Sequence, residues 1–347
     1  MNESPPLPSG PLKLYAAAAK GLLWLLAAAW LLLALAWGAV HGWIVPRIGE
    51  LRPTLETQAT RLLGVPVRIG AVSARSEGLV PSIQLESVVL LDPQGREALR
   101  LPRVNASLSP RSLLHLGFDQ LYIESPVLDV RRAADGRLFV AGLELSQGQG
   151  AGRQEDGRAA DWFFRQGEFV IRGGTVRWTD EMRTAPPLQL ENVDFVVRNT
   201  ARRHSLRLDA TPPAGWGDRF TVQGVFRQPL LSTHPGRWQD WDGQLHADFR
   251  RVDLAELRKH ARPGIAVHGG HGAVPAWLDV ANGQVTGGVA DLSAADVSTT
   301  LGEGLAPLAL SSVSGRFGGR RLPGGMEIEA KALQFTTAEG QHWPAGD

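Results

Sequence analysis

The stretch from Gly21 to Val45, GLLWLLAAAWLLLALAWGAVHGWIV, contains no Asp, Glu, Lys or Arg, and no other feature limits the fold so strongly. At about 1.5 Å of rise per residue, a helix of that length crosses a hydrocarbon core of roughly 30 Å. The sequence therefore predicts a membrane-spanning helix. Trp24 near one end, with Trp37 and Trp43 towards the other, suits an aromatic belt at the level of the headgroups. A cleaved secretory signal needs only about 7 to 15 apolar residues before a small-residue cleavage site, and this run is longer. Lys13 and Lys20 precede the span against Glu3 alone, whereas the charges of Arg47, Glu50, Arg52 and Glu56 behind it nearly balance. The positive-inside bias then places the N-terminus in the cytoplasm and everything from Pro46 onward across the membrane.

The rest of the chain reads as β structure. Gly 40 and Pro 23 make it rich in turns, which favours many short strands over long helices. With Cys 0, disulfides, thiolate metal sites and cysteine nucleophiles are excluded, so an exported domain must hold together by packing and sheet hydrogen bonds. A net charge of +1 carries no nucleic-acid signature. Basic residues are nearly all Arg, with Lys only at 13, 20, 259 and 331, which records base composition more readily than function.

Residues 1–11 are too polar and Pro-rich to pack. Between Pro46 and Leu63, Ile48, Leu51, Leu55, Ala59 and Leu62 recur at helical spacing and Gly64 supplies a stop. This amphipathic helix is expected to cap the first strands rather than lie on the bilayer. From Val65 the period becomes two. In SIQLESVVLL, Ile83, Leu85, Val89 and Leu91 are expected on one face, opposite Gln84 and Glu86. A turn at Asp92 to Gly95 leads to a strand at Leu99 to Leu108, and Ser109 caps a helical turn. The strand at Leu121 to Val130 is broken by Ser125 and Pro126, and Asp135 and Gly136 turn it back into Arg137 to Leu145.

Apolar periodicity vanishes from Ser146 to Asp161, the best candidate for a linker. A hairpin around Gly173 and Gly174 is expected within Trp162 to Thr179, with Phe169 and Ile171 on one face before it. Further strands are predicted at Leu188 to Val197, Ser205 to Ala210, Arg219 to Arg227 and Gly243 to Arg250. Asp253 is expected to cap a short helix to Ala261, followed by a Gly/His-rich loop. More strands are expected at Gly283 to Ala290, Val297 to Leu301, Leu308 to Phe317 and Met326 to Thr336. A sheet edge left open near Asp347 leads us to expect an N-terminal fragment of a longer protein.

This order of features resembles a known family. The span is followed by RPTLETQATRLLGVPVRIGAVSA (Arg52 to Ala74), LVPSIQLESVVLLD (Leu79 to Asp92), LSPRSLLHLG (Leu108 to Gly117) and LYIESPVLDVRRAADG (Leu121 to Gly136). GGTVRWTDE (Gly173 to Glu181), PLQLENVDFVVRN (Pro187 to Asn199) and the Gly-rich segment before PAWL (Pro275 to Leu278) continue the likeness. Together they resemble the YhdP branch of the AsmA-like proteins, from about Leu14 onward. The resemblance implies a mainly β fold: one transmembrane helix, then an extended, groove-forming, taco-like antiparallel sheet with a few short helices. It also implies anchorage in the bacterial inner membrane, a periplasmic bulk, and phospholipid carried towards the outer membrane on the apolar inner face. The partners implied are phospholipid, the inner membrane and other envelope proteins, with no nucleic acid.

On that reading the chain divides into a cytoplasmic tail at 1–20, the transmembrane helix at 21–45, an amphipathic helix at 46–64, a first periplasmic β region at 65–145, a linker or long loop at 146–161, and a second β-groove region at 162–347. The groove candidates, chosen by alternation, are Ile83, Leu85, Val89, Leu91, Phe169, Ile171, Val193, Phe195, Val197, Phe220, Val222 and Phe226. Alternation alone favours an ordinary β-sandwich whose apolar faces cover each other, serving as a structural or assembly factor that binds no lipid. The resemblance reverses that preference.

No enzyme is expected. The sequence holds no G-x-S-x-G elbow, no phosphate loop ending in Gly-Lys and no H-E-x-x-H helix. His260, His268 and His271, with Glu256 and Asp279 near in sequence, read as solvated loop residues rather than a metal site, and no cofactor is expected. Trp178 with Asp180 and Trp241 with Asp242 read as strand-end and turn packing rather than sugar platforms. The Asn105-Ala-Ser107 acceptor pattern has no meaning in a bacterial periplasm.

Overall fold

The structure is a computed structural model that describes residues 9–39, 42, 45–75, 82–91, 95, 97–107, 117–140, 143–144, 160–183, 185–232, 234–260, 266–300, 306–322 and 324–346. A long helix α1 (Ser9–Ala39) comes first, and in its segment Ala17–Ala39, of mean hydropathy 2.1, every described side chain is exposed. The described Leu, Trp and Ala side chains on every side of it are exposed, the pattern of a helix suited to apolar surroundings. A 3-10 turn (Val45–Leu51) leads into α2 (Arg52–Leu63), which ends at Gly64 in the left-handed conformation, as the Gly stop predicts.

Helix α2 does cap the first strands. Leu55, Ala59 and Leu63 pack on the core of β1 (Val67–Arg75), β2 (Ser82–Leu91) and β3 (Glu97–Ser107). Its polar side seals the free edge of β1: the Ile69 N–H donates to Glu56 Oε1 at 2.7 Å, the Val67 N–H donates to Thr60 Oγ1 at 3.0 Å, and Arg52 donates to the Gly70 carbonyl at 3.1 Å. An edge whose hydrogen-bonding groups are spoken for cannot template another chain.

The chain continues through β4 (Gln120–Glu124), β5 (Val127–Arg132), β6 (Leu138–Val140) and β7 (Leu143–Glu144). Ser125, at φ 48°, and Pro126 part β4 from β5, and Gly136, at φ 86°, turns β5 into β6 as the Asp-Gly signal predicts. A short helix α3 spans 160–165. Next come β8 (Glu168–Asp180), β9 (Leu188–Asn199), β10 (Arg203–Thr211), β11 (Phe220–Arg227), β12 (Asp242–Asp248) and β13 (Val252–Asp253). Helix α4 (Leu254–His260) follows, where Asp253 Oδ1 accepts the Glu256 N–H at 2.9 Å, the expected cap. The last strands are β14 (Ala266–Ala273), β15 (Ala276–Ala281), β16 (Gln284–Thr300), β17 (Leu308–Leu322), β18 (Gly325–Thr337) and β19 (His342–Gly346).

All 19 strands belong to one sheet. Pairing runs from β1 through β2 and β3 to β4, crosses to β8, and continues through β9, β10, β11, β12, β15, β16, β17 and β18 to β19. Every pair is antiparallel except those of β4 and β5 with β8, which are parallel. Among the described residues no second sheet covers this one, so the closed sandwich is not the fold.

Three expectations change. Gly173 and Gly174 do not turn a hairpin: β8 runs straight through them, and Gly173 at φ 62° only kinks it, level with Ser125 and with Asn192 at φ 48°. The Gly/His-rich loop is strand β14, paired with β16. Val89 and Leu91 do not share a face with Ile83 and Leu85. At the level of Gly70, Ser87 and Pro102 the alternation resets in three strands at once, so Val88 and Leu90 join Leu85 in the core, while Val89 sits between Arg68 and Arg100. Ser87 is at φ 51°, and Gly70 accommodates it because a Cβ there would lie 3.0 Å from the Ser87 Cβ. Residues 92–94 of the expected turn, the helical turn at 109–114 and the linker as far as 159 lie outside the described residues.

Candidate functional site

Directly paired residues share a face of a sheet, so the register can be followed from strand to strand. One row reads Val72, Leu85, Val104, Ile123, Ile171, Phe195, Leu208, Val222, Ala247, Ala276, Ala290, Phe317 and Ala330. Beside it on the same face runs Ala74, Ile83, Ala106, Leu121, Phe169, Val197, Leu206, Gly224, Leu245, Leu278, Gly288, Gly319 and Ile328. Neither row contains a polar side chain. They cross thirteen strands, twelve steps of about 4.8 Å, or roughly 58 Å.

The opposite face is polar and largely self-paired. Arg103 donates to Glu124 at 2.7 Å, Arg198 to Glu168 at 2.7 Å, Arg316 to Asp291 at 2.6 Å, and Arg219 to Asp194 at 2.9 Å. Hydrogen bonds from Arg207 and then Thr221 hold the Asp209 carboxyl below the usual range. Exposed pairs of this kind contribute about 0 to 1 kcal/mol each; their main effect is to keep that face wet while its reverse is apolar.

The apolar face is not uniformly open. Over β1 to β4 and β8 it is a closed core of Val67, Ile69, Val88, Leu90, Val104, Ala106, Leu121, Ile123 and Ile171, roofed by α2 and by Trp162 of α3. At the far end α4 roofs a second, smaller core of Val267, Ala294, Val297 and Leu310, to which it contributes Leu254. Between them Leu206, Leu208, Val222, Leu245 and Leu278 remain half-buried.

Helix α3 borders this open stretch with an aromatic cluster. Phe163 meets Phe169 at 4.7 Å, and Phe164 meets Trp241 at 4.8 Å and His204 at 5.5 Å. His204 stacks on Trp241 at 4.1 Å with its nitrogens facing Asn199 Oδ1 at 2.8 Å and Gln228 Oε1 at 3.4 Å. Burial pushes this imidazole below its ordinary value, and the Gln228 contact opposes the shift. The fully buried Gln166 ties α3 down by accepting the Phe118 N–H at 2.6 Å and donating to the Trp162 carbonyl at 2.5 Å. Asp161 clasps it to the β11–β12 connection, accepting the Gly236 N–H at 2.7 Å.

Of the candidates chosen by alternation, Ile83, Leu85, Phe169, Ile171, Phe195, Val197 and Val222 lie in the two apolar rows. Phe220 and Phe226 share that face in β11, and Val193 shares it in β9; Val89 and Leu91 are on the other face. Ile171, Val193, Val197 and Phe226 are buried by protein, whereas Leu206, Leu208, Leu245 and Leu278, not chosen, occupy the open stretch. The alternation of SLRLDA would have found the first two; Leu245 is an isolated leucine between Gln244 and His246, and Leu278 follows Trp277 directly, so neither shows apolar alternation with its neighbours. The histidines do not converge, and among the described residues no group of three or more metal-ligating side chains forms.

One apolar helix that fits a single-pass membrane anchor, followed by one open sheet apolar along one face, defines the architecture of a β-groove protein. The family model described as YhdP protein matches residues 11–347, and the chain belongs to the YhdP family, within the AsmA-like proteins. No curated protein and no solved structure matches it.

Proposed function

We propose that this chain is a single-pass protein of the bacterial inner membrane, N-terminus in the cytoplasm, whose periplasmic sheet shields phospholipid acyl chains on the way to the outer membrane. The observation that carries this reading is the pair of apolar rows, uninterrupted over thirteen strands and left half-open from β10 to β15. Apolar area removed from water is worth about 25 cal/mol per Å², so an acyl chain laid along such a face is held without any directional contact and can slide. The lipid is moved unchanged; the chain acts as a conduit and not as an enzyme. Other envelope proteins would serve as its partners at either end.

A photo-reactive phenylalanine analogue at Leu206 or Leu245 tests this, with Arg207 and Gln244 on the polar face as controls. Crosslinking in growing cells followed by mass spectrometry should recover phospholipid from the first pair and not from the second. Equal capture on both faces, or none on the apolar one, would rule the conduit out.

A further inference from the structure

The polar face carries one place unlike the rest. Between two rows of side chains on β11, β12, β15, β16, β17 and β18 lies a cavity of about 1190 Å³. One wall is the row Gln223, His246, Trp277, Val289, Gly318 and Glu329; the other includes Val225, Gln244, Asp279 and Arg320. Much of this face is tied up in ion pairs such as Arg198 with Glu168 and Arg316 with Asp291, whereas here hydrogen-bonding capacity is left over. The side chains of Gln223, His246 and Trp277 make no hydrogen bond to a described residue, and Asp279 spends one oxygen on Gln244 at 3.1 Å. Trp277 is 46 % exposed, its ring 5.0 Å from that of His246. Gly318 in one wall and Gly287 in the other leave the cleft wider beyond it.

We propose that this cleft binds a neutral oligosaccharide, one sugar ring stacked on the Trp277 indole. The chemistry selects that class. A flat aromatic face accepts the apolar C–H side of a pyranose, while amide, imidazole and carboxylate groups around it exchange hydrogen bonds with hydroxyls. Phosphate ligands fit poorly, because the cleft presents the carboxylates of Asp279, Glu327 and Glu329 against the single guanidinium of Arg320, itself 3.7 Å from Glu327, while Arg321 falls on the opposite face by register. The wall crosses six strands, roughly 24 Å at about 4.8 Å per strand, so the ligand is a chain of sugars rather than a single ring.

The test uses the whole chain in nanodiscs, with chitotetraose and maltotetraose as probes and saturation-transfer NMR as readout. At least one probe should bind saturably, and Trp277→Ala should weaken it tenfold or more. Gln223→Ala, a change at an exposed and unpartnered side chain, should weaken it about threefold with the thermal transition unmoved. The proposal is overturned if neither tetrasaccharide binds, if binding survives both substitutions, or if only a peptide or inorganic phosphate competes for the cleft.

Discussion

His204 shows how one side chain couples packing to pH. Its ring contacts are to Trp241, Phe164, Asn199 and Gln228, none of them charged, and burial lowers its proton affinity in the folded state. With the folded value depressed below the ordinary 6.5, the unfolded chain binds the extra proton first. Stability is therefore complete above about 6.5 and is lost as pH falls below it. Thermal melts at pH 7.5 and pH 5.5 should show a drop for the wild type that is smaller in His204→Phe; equal drops would place the acid sensitivity elsewhere. The open and closed parts of the apolar face separate by the same kind of measurement. Ile171→Glu buries an unpaired carboxylate and should cost more than about 3 kcal/mol, whereas Leu206→Glu, half in water, should cost about 1 kcal/mol and still block lipid capture. Of this scale, the apolar identities were legible in the sequence. Which of them water reaches was not, because exposure is set by helices brought from elsewhere in the chain.

Among the elements, the short helices are predictable from their ends and the strands from their period, but the kinks are not. Asp253 caps α4 as a lone N-cap should, and Asp253→Ala should lower stability by about 1 kcal/mol in denaturant unfolding. Ser87 and Asn192 sit at positive φ inside strands, where no turn signal surrounds them. A β-branched residue there is strained, so Ser87→Val should cost about 1 to 2 kcal/mol, and Ser87→Gly should cost little. No change on either substitution would mean that the reset at Gly70, Ser87 and Pro102 is not held by backbone conformation. Alternation read straight through Ser87 misplaced Val89 and Leu91 because a period of two is lost wherever one residue leaves the β region.

At the scale of the molecule, the sheet depends on α1 only for its place. Leu32 lies within the exposed apolar span, and Leu32→Arg should weaken membrane insertion by about 2.5 to 3.5 kcal/mol, read as loss from the salt-washed membrane fraction. A reporter active only outside the cytoplasm, fused after Asp347, should be active in the wild type; an inactive fusion would reverse the topology. The groove itself is a property of the whole: each strand supplies two positions to it, apolar side chains except for the glycines of β11, β16 and β17, and thirteen strands in register make the two rows.

The sequence by itself determined the long apolar N-terminal helix, the capping of the first strands, the mainly β character and the membership of most candidates in one apolar set. Each depends on hydrophobic period or end chemistry within a few residues. The tertiary structure alone decided that the sheet is single and open, that β8 bridges both halves through parallel pairing, and that α2, α3 and α4 roof its ends but not its middle. Those outcomes rest on which distant surfaces meet, and a strand with one apolar face has the same local sequence whether a sheet, a helix or a lipid covers it.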